Sequence, residues 1–360
     1  MADMVVEKSS QASGNQKFPT DIKILVVGSD HKAAMEQYFT RYLTELGVPN
    51  DIFPAQGLFY KYYNSSILNK VFFKLGVSSI YKSISDQLLQ AVASKKPDVL
   101  FVFKGMEILP STLSALKEQG IKLVNYNPDN PFLFSGSGSG NRNVEESIPL
   151  FDLHLTYDRS IKAELEKRNL KAILIPFGFD ITEEEVKICA AEPEVIRVCF
   201  LGNPDKDRCK FLNTLAEKKL PIDVYGRGWT RFNLNSEIKV NGPVYGLDYW
   251  KVLRKYRVQL NLMRPHNPHS HNMRSMEVPG VGGIGLFPDT PDHREFFEEG
   301  KEIFLYGDVP DCCLKAQQLL LLTKEKADSI RSAARSRSLH SGYSYKHRTQ
   351  QFIESLVQIL

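Results

Sequence analysis

The sequence predicts an α/β protein made of two consecutive doubly wound, Rossmann-like domains. Short continuous apolar runs, IKILVV at 22–27 and IRVCFL at 196–201, each stop at a glycine, Gly28 and Gly202. Runs of that kind read as parallel strands buried on both faces. Segments of helical period alternate with further runs of the same type, which is the pattern of βαβ units. At 360 residues the chain is also too long for a single compact core.

Taken in order, residues 1–20 are polar, lack the basic start and long apolar stretch of a signal peptide, and read as a disordered leader. The first domain is expected over 21–180. After the strand at 22–27, residues 32–46 are helical and stopped by Gly47 and Pro49. Residues 84–94 are helical, 98–103 (DVLFVF) form a strand, 111–119 a helix, and 122–126 another strand. A glycine-serine loop at 134–143 precedes a strand at 152–157, a helix at 160–168 and a strand at 172–175. The acidic segment 181–194 lacks strong periodicity and is expected to link the domains. The second domain, 195–340, holds strands at 196–201, 222–225, 258–263, 283–287 and 303–306, with helices between them. Residues 324–360 are almost entirely helical, and 341–360 are expected to pack back on the first domain.

Bulk composition narrows the function. Forty-six basic against 42 acidic residues leave a net charge of +4, too weak an excess to argue for nucleic acid. No apolar run approaches the ~20 residues of a membrane span. The five cysteines, Cys189, Cys199, Cys209, Cys312 and Cys313, are odd in number and show no zinc spacing, so a reduced, cytoplasmic protein is expected.

Gly280, Gly282 and Gly285 spell G-x-G-x-x-G, the letters of a dinucleotide fingerprint. That motif works when a strand feeds a tight turn that opens a helix. Here 272–279 reads as a short helix and the strand follows the glycines, so they are expected to end one element and pack the next. No nicotinamide or flavin cofactor is expected. The turn at Gly28 has only one glycine, enough for close backbone approach to a ligand but equally a plain βα turn.

The segment before those glycines, NLMRPHNPHSHNMRSMEVPG at 261–280, concentrates polar chemistry. A helix N-terminus preceded by Ser270, His271 and Asn272 attracts anions, and Arg274 adds a planar fork of donors. Glu277, one turn later, is suited to accept hydrogen bonds from vicinal hydroxyls such as those of a ribose. Arg274 and Glu277 at i, i+3 are also spaced for a simple ion pair. His266, His269 and His271 match no standard ligand spacing, so no metal is expected.

On these residues the chain resembles group 1 glycosyltransferases of the GT-B fold, and more narrowly their spore-maturation-protein (CgeB-like) branch. The resemblance rests on LNLMRPH at 260–266, NMRSMEVPG at 272–280, the D-x-x-x-x-x-E-F-F-x-x-G-K-E run at 289–302, and SGYSYKHR at 341–348. It extends to ILIPFGFD at the inter-domain connection and VCFLGNPDKDR at 198–208. It implies two Rossmann-like domains facing across a cleft, and transfer of a sugar from a nucleotide diphosphate donor, retaining and metal-independent, with a UDP-sugar guessed. Glu277 matches the family glutamate that holds the donor ribose. The partner glutamate of that family falls at position 269, where this chain has His269, so the donor-sugar contact departs from the pattern. By the same carry-over Gly202 and Arg208 flank the diphosphate, and Tyr225, Gly226, Arg227, Trp229, Val244 and Tyr245 line the nucleobase pocket. Lys206 is a second cation in the diphosphate loop, or simply solvated.

Glycosyl transfer needs the charge of the departing diphosphate stabilised and the acceptor hydroxyl aligned. The acceptor and any base are expected from loops after the strands of the first domain. Asp129 in YNPDNP and His31 in GSDH are the catalytic candidates, though Asp129 also suits a turn and His31 a helix start. A non-catalytic sugar-nucleotide-binding or scaffold protein, and a sugar-nucleotide epimerase on the same architecture, are the alternatives.

Overall fold

A computed structural model describes residues 21–134, 138–263 and 270–360. The expected leader at 1–20, the tip of the glycine-serine loop at 135–137, and His266 and His269 lie outside the described residues.

The first lobe is a parallel six-stranded sheet of β1 (Ile24–Val27), β2 (Asn50–Phe53), β3 (Val99–Phe103), β4 (Lys122–Asn127), β5 (Leu153–Thr156) and β6 (Ala172–Leu174), in the order β2-β1-β3-β4-β5-β6. The second contains β7 (Val195–Leu201), β8 (Ile222–Tyr225), β9 (Lys239–Asn241), β10 (Tyr256–Leu260), β11 (Gly285–Pro288) and β12 (Phe304–Tyr306), in the order β12-β11-β10-β7-β8-β9. In each sheet the chain starts centrally, runs to one edge and then crosses to the other. That reversal opens a crevice at the C-terminal ends of the strands, where open parallel sheets bind ligands. The central strands are buried along their full length in β1, β3 and β10, the first two as unbroken apolar runs and β10 with its buried Arg257 and Gln259 hydrogen-bonded to Glu194 and to the Val252 carbonyl.

The acidic segment expected to be a plain linker is ordered. Thr182 caps a helix at Glu183–Ala190 through a reciprocal capping box with Glu185. Its acidic residues then serve the second lobe. Glu194 takes a bidentate pair from Arg257 at 2.7 and 2.7 Å and accepts from Arg331 as well, and Glu192 pairs with Lys251 at 2.7 Å. Periodicity is weak there because the helix is short and the acids beyond its end are spent on tertiary pairs.

The C-terminal helical stretch is two helices, Lys324–His340 and Tyr345–Leu356, broken around Gly342 at φ +66°. The second packs on the helix Met35–Glu45 of the first lobe, with Phe352 stacked 4.1 Å from Phe101 and Tyr345 stacked 4.8 Å from Tyr38. Where the chain passes between lobes, its two crossings lie side by side. The Phe179 amide donates to the Tyr343 carbonyl at 3.2 Å, and Tyr345 returns a bond to the Phe179 carbonyl at 3.0 Å.

The three glycines sit at this seam in helix-to-strand order. The helix Met273–Gly280 ends, Gly282 takes φ +76°, and β11 opens at Gly285. A Cβ on Gly280 would stand 2.5 Å from the Phe179 ring, and one on Gly283 2.6 Å from the Leu253 carbonyl oxygen. They are glycine because the backbone turns and neighbouring chains close in there.

Candidate functional site

Between the lobes lies a cleft of about 1760 Å³, walled by both sheets' C-terminal loops. On the second lobe its wall includes Gly202, Asn203, Arg208, Tyr225, Gly226, Arg227, Val244, Tyr245, Asn272, Arg274 and Glu277. The first lobe contributes Ser29, Asp30, His31, Tyr38 and Arg41.

Glu277 is buried in the helix Met273–Gly280, and its Oε2 accepts from Tyr249 Oη and from Arg274 Nη1, each at 2.5 Å. The i, i+3 ion pair is therefore present, but it is an internal part of the wall. The Arg274 guanidinium lies 4.7 Å over the Tyr249 ring. Both donors take the same carboxylate oxygen, which leaves the Oε1 side for a ligand at the cleft. Burial holds the Tyr249 phenol far above its ordinary pKa, so it stays a donor to Glu277.

The N-terminus of this helix is framed from behind. Asn272 caps it, its side chain accepting from the Ser275 amide while Ser275 Oγ accepts from the Asn272 amide at 3.1 Å. Asn261 at the end of β10 exchanges amide bonds with Asn272 at 2.8 and 3.1 Å. His293 completes the frame. Its Nδ1 donates to the Pro288 carbonyl at 2.7 Å, so its Nε2 accepts from Ser275 Oγ, also at 2.7 Å. Burial lowers the His293 pKa to about 4, which keeps it neutral in that role. With Ser275 satisfied by the cap, the amides of Met273 and Arg274 are the ones without an intrahelical partner.

The loops after β7 and β8 meet edge to edge. Gly226, at φ +152°, approaches so closely that a Cβ would strike the Gly202 carbonyl. The Arg227 amide donates to Asn203 Oδ1 at 3.1 Å. Arg208 lines the cleft while bonding the Asn203 and Leu262 carbonyls at 2.9 and 3.1 Å, so it ties the loop after β7 to the segment after β10. Tyr225 bonds Tyr256 through their hydroxyls at 2.9 Å. Tyr245 is exposed on the cleft rim with the Arg227 guanidinium 6.0 Å from its ring. Lys206 is exposed and stands outside this wall.

Several expected positions fall elsewhere. His271 does not face the cleft. It is fully buried, its Nδ1 donating to Asp292 at 2.7 Å and its Nε2 accepting from the Phe177 amide at 3.3 Å. Burial depresses its pKa despite Asp292, so the ring is a neutral joint between the inter-lobe connection and the second lobe. Trp229 is buried behind the wall, where its indole N–H supports the Gly202 carbonyl at 3.0 Å. Gly28 is walled off by Glu36, which a Cβ would strike, while the Glu36 carboxylate accepts from the Ser29 amide at 2.7 Å. Asp129 stands apart from the cleft, paired with Lys104 at 2.6 Å. His31 does line the cleft; it is exposed and its Nδ1 accepts from the Ala33 amide at 3.2 Å.

Sequence reasoning missed the groups opposite Glu277. Tyr38 lines the first-lobe side, and burial together with the Glu277 charge pushes its pKa up to about 12. Arg41 and Tyr42 both grip Asp180 of the inter-lobe connection, Tyr42 Oη at 2.6 Å. Tyr249 was also missed, since it lies 28 residues from Glu277 and gave no local signal.

The chain is similar over 94% of its length to HepE of Anabaena, solved in complex with UDP-glucose, with 14% identity, a TM-score of 0.60 and the whole of that chain covered. The fold is GT-B. Sucrose-phosphate synthase of Thermosynechococcus elongatus gives a TM-score of 0.63 at 11% identity, covering 94% of this chain and 99% of that one. The UDP-GlcNAc 2-epimerase of Neisseria meningitidis, bound to UDP-GlcNAc, gives 0.55 at 14%, covering 94% and 100%. Residues 208–354 match the family described as glycosyl transferase-like. No curated protein sequence matches the chain significantly. The GT-B assignment makes the cleft the space between its two sheets, with Glu277 on the C-terminal lobe.

Proposed function

We propose that this protein is a glycosyltransferase that moves a sugar from a nucleotide diphosphate donor, a UDP-sugar, to an acceptor bound by the first lobe. The observation that carries the reading is Glu277, buried in the cleft wall with one carboxylate oxygen fixed by Tyr249 and Arg274 and the other side left for a ligand. Two vicinal ribose hydroxyls can both donate to that remaining oxygen, which has two lone pairs. The helix amides at 273–274 and the Gly202–Gly226 junction bring backbone groups to where a diphosphate would lie between Glu277 and the nucleobase loops. Arg274 and Arg208 supply the positive charge that stabilises the leaving diphosphate, with no metal required. The match of 208–354 to glycosyl transferase-like proteins and the UDP-glucose complex of HepE support the donor class. His31, which lines the cleft, is the first-lobe candidate for handling the acceptor proton. Transfer proceeds with retention, as the resemblance to group 1 enzymes implies.

The test is release of nucleoside diphosphate from a panel of nucleotide sugars. Slow hydrolysis of one donor is expected, and Glu277→Ala should abolish it. Tight nucleotide-sugar binding with no turnover in the presence of candidate acceptors would instead establish a binding protein. Conversion of the donor into its epimer would establish an epimerase.

A further inference from the structure

The first lobe carries a surface that the cleft chemistry does not use. After β2 the chain forms a helical hairpin, Ala55–Ser65 and Ile67–Lys74, and then a turn through Gly76 to the helix Ile80–Lys95. The second helix of the hairpin has no buried residue although it is rich in large apolar side chains. Ile67 is 80% exposed, Leu68 62%, Leu75 70% and Val77 69%, with Val71 and Phe72 exposed beside them. At about 100° per residue, Ile67, Val71, Leu75, Leu68 and Phe72 fall within one continuous arc of the helix. Phe73 points the other way, into a ring cluster with Phe59 at 4.9 Å, Tyr63 at 5.7 Å and Tyr81 at 5.6 Å. That aromatic anchor fixes the helix on the lobe with its apolar arc turned to solvent. An exposed arc of this kind marks an interaction surface.

The charge around it selects the partner. Residues 52–85 contain four lysines, Lys61, Lys70, Lys74 and Lys82, and no aspartate or glutamate. Lys82 is paired with Asp86 at 2.7 Å, whereas Lys61 and Lys74 are exposed and Lys70 lies over the Tyr63 ring at 5.5 Å. Lys70 and Lys74 border the apolar arc along its Ile67 edge. A large apolar face bordered by lysines and free of acids is the pattern of an interfacial helix on an anionic lipid surface. Among the described residues no helix is long and apolar enough to cross a membrane, so the attachment would be peripheral.

We propose that the 55–77 hairpin docks the protein onto an anionic bilayer surface. Ile67, Leu68, Val71, Phe72 and Leu75 enter the headgroup–acyl boundary, and Lys61, Lys70 and Lys74 lie among the lipid phosphates. Gln56, Gly57 and Tyr60 of the first hairpin helix line the inter-lobe cleft, so docking sets the cleft mouth beside the membrane. The surface is independent of the donor chemistry.

The experiment is flotation of the full chain with phosphatidylcholine vesicles, with and without phosphatidylglycerol, at low and high salt. Wild type is expected to float at least about tenfold more with the anionic vesicles, and less so at high salt. Leu68→Asp with Leu75→Asp should abolish flotation, and Lys61→Gln with Lys74→Gln should remove most of the anionic preference. All four positions are exposed, so melting temperature and UDP affinity should stay at wild-type values. Unbound wild type with intact UDP affinity would overturn this inference alone. A dimer that Leu68→Asp dissolves, without vesicle binding, would overturn it in favour of a second copy on the face.

Discussion

The two walls of the cleft are built differently on similar sheets. On the C-terminal lobe the centre of the wall is held from behind, Glu277 by Tyr249 and Arg274, Asn272 by Asn261, Ser275 by His293 and the Gly202 carbonyl by Trp229, while Tyr245 and Arg227 stay exposed on the rim. On the N-terminal lobe Asp30, His31 and Lys32 reach the same cleft as exposed side chains on a short turn. A framed wall loses little entropy when a ligand arrives, and rigid support is what positioning a diphosphate and a ribose requires. A loosely held wall tolerates more than one partner shape. Under the proposed function, the contrast fits the nucleotide to the C-terminal wall and the acceptor to the N-terminal one.

The largest expected effects would break that assignment if they came out reversed. Glu277→Ala should weaken UDP binding and lower donor turnover by about 100-fold or more, because the ribose loses its acceptor and Arg274 is left unpaired. His31→Ala should leave UDP affinity within about twofold while lowering transfer about tenfold, as expected for a group acting on the acceptor proton. Calorimetric UDP titration alongside initial rates reads both. If His31→Ala weakened UDP as much as Glu277→Ala did, the division between walls would be wrong.

Beneath the contrast the lobes share one vulnerability. His154 in the first lobe and His293 in the second are buried, neutral, and held by burial at a pKa of about 4 against an ordinary 6.5. An unfolded chain takes up those protons as pH falls below about 6.5, whereas the folded chain does not until about pH 4. Stability supplied by each neutral histidine is thus complete above pH 6.5 and lost as pH falls toward 4. At pH 5 the loss is about 2 kcal/mol per histidine. Buried Glu36 and Glu107, whose pKa values burial raises, oppose the trend by preferring their protonated forms. Comparing denaturant unfolding at pH 7 and pH 5 in wild type and His154→Gln isolates one group. The acid-induced loss should shrink by about 2 kcal/mol in the variant, and an unchanged loss would remove His154 from the account.

What the sequence made legible follows the same division between self-contained and paired features. Strands such as β1 and β3 are readable because burial on both faces demands an uninterrupted apolar run. Edge strands β2 and β9 escaped notice, since NDIF and KVN have solvent-facing residues and no run to see. The hairpin at 55–74 was passed over because apolar residues occur all around it, including an arc that stays exposed. At the site, Glu277 and Arg274 were visible through one short motif. His271 was misplaced because its polar neighbours suggested an open loop, whereas its partner Asp292 comes 21 residues later. Tyr38 faces Glu277 from the other lobe, a relation that only the closed fold creates.

Two substitutions at the joint sharpen the comparison further, with smaller effects. Gly280→Ala would press a methyl into the Phe179 ring, where both chain crossings are packed. A cost of about 1–3 kcal/mol is expected, together with a weaker apparent UDP affinity if the wall's helix shifts. A dinucleotide-turn role for that glycine predicts instead an intact fold, so an unchanged melting temperature would revive the reading that helix-to-strand order argues against.

Arg159 of the first lobe reaches Glu295 at 2.5 Å and Asp292 at 3.7 Å on the second, with its own side chain half exposed. Solvent screening limits such a pair, so Arg159→Ala should cost less than about 1 kcal/mol of stability. Its effect should be on the relation between the walls. Removing one of the side-chain ties between the lobes leaves each wall intact, so UDP affinity should hold while transfer, which needs both walls in register, falls by a few-fold. A loss of UDP affinity equal to the loss of transfer would mean that the donor wall depends on the other lobe for its shape, and that its internal frame is not sufficient.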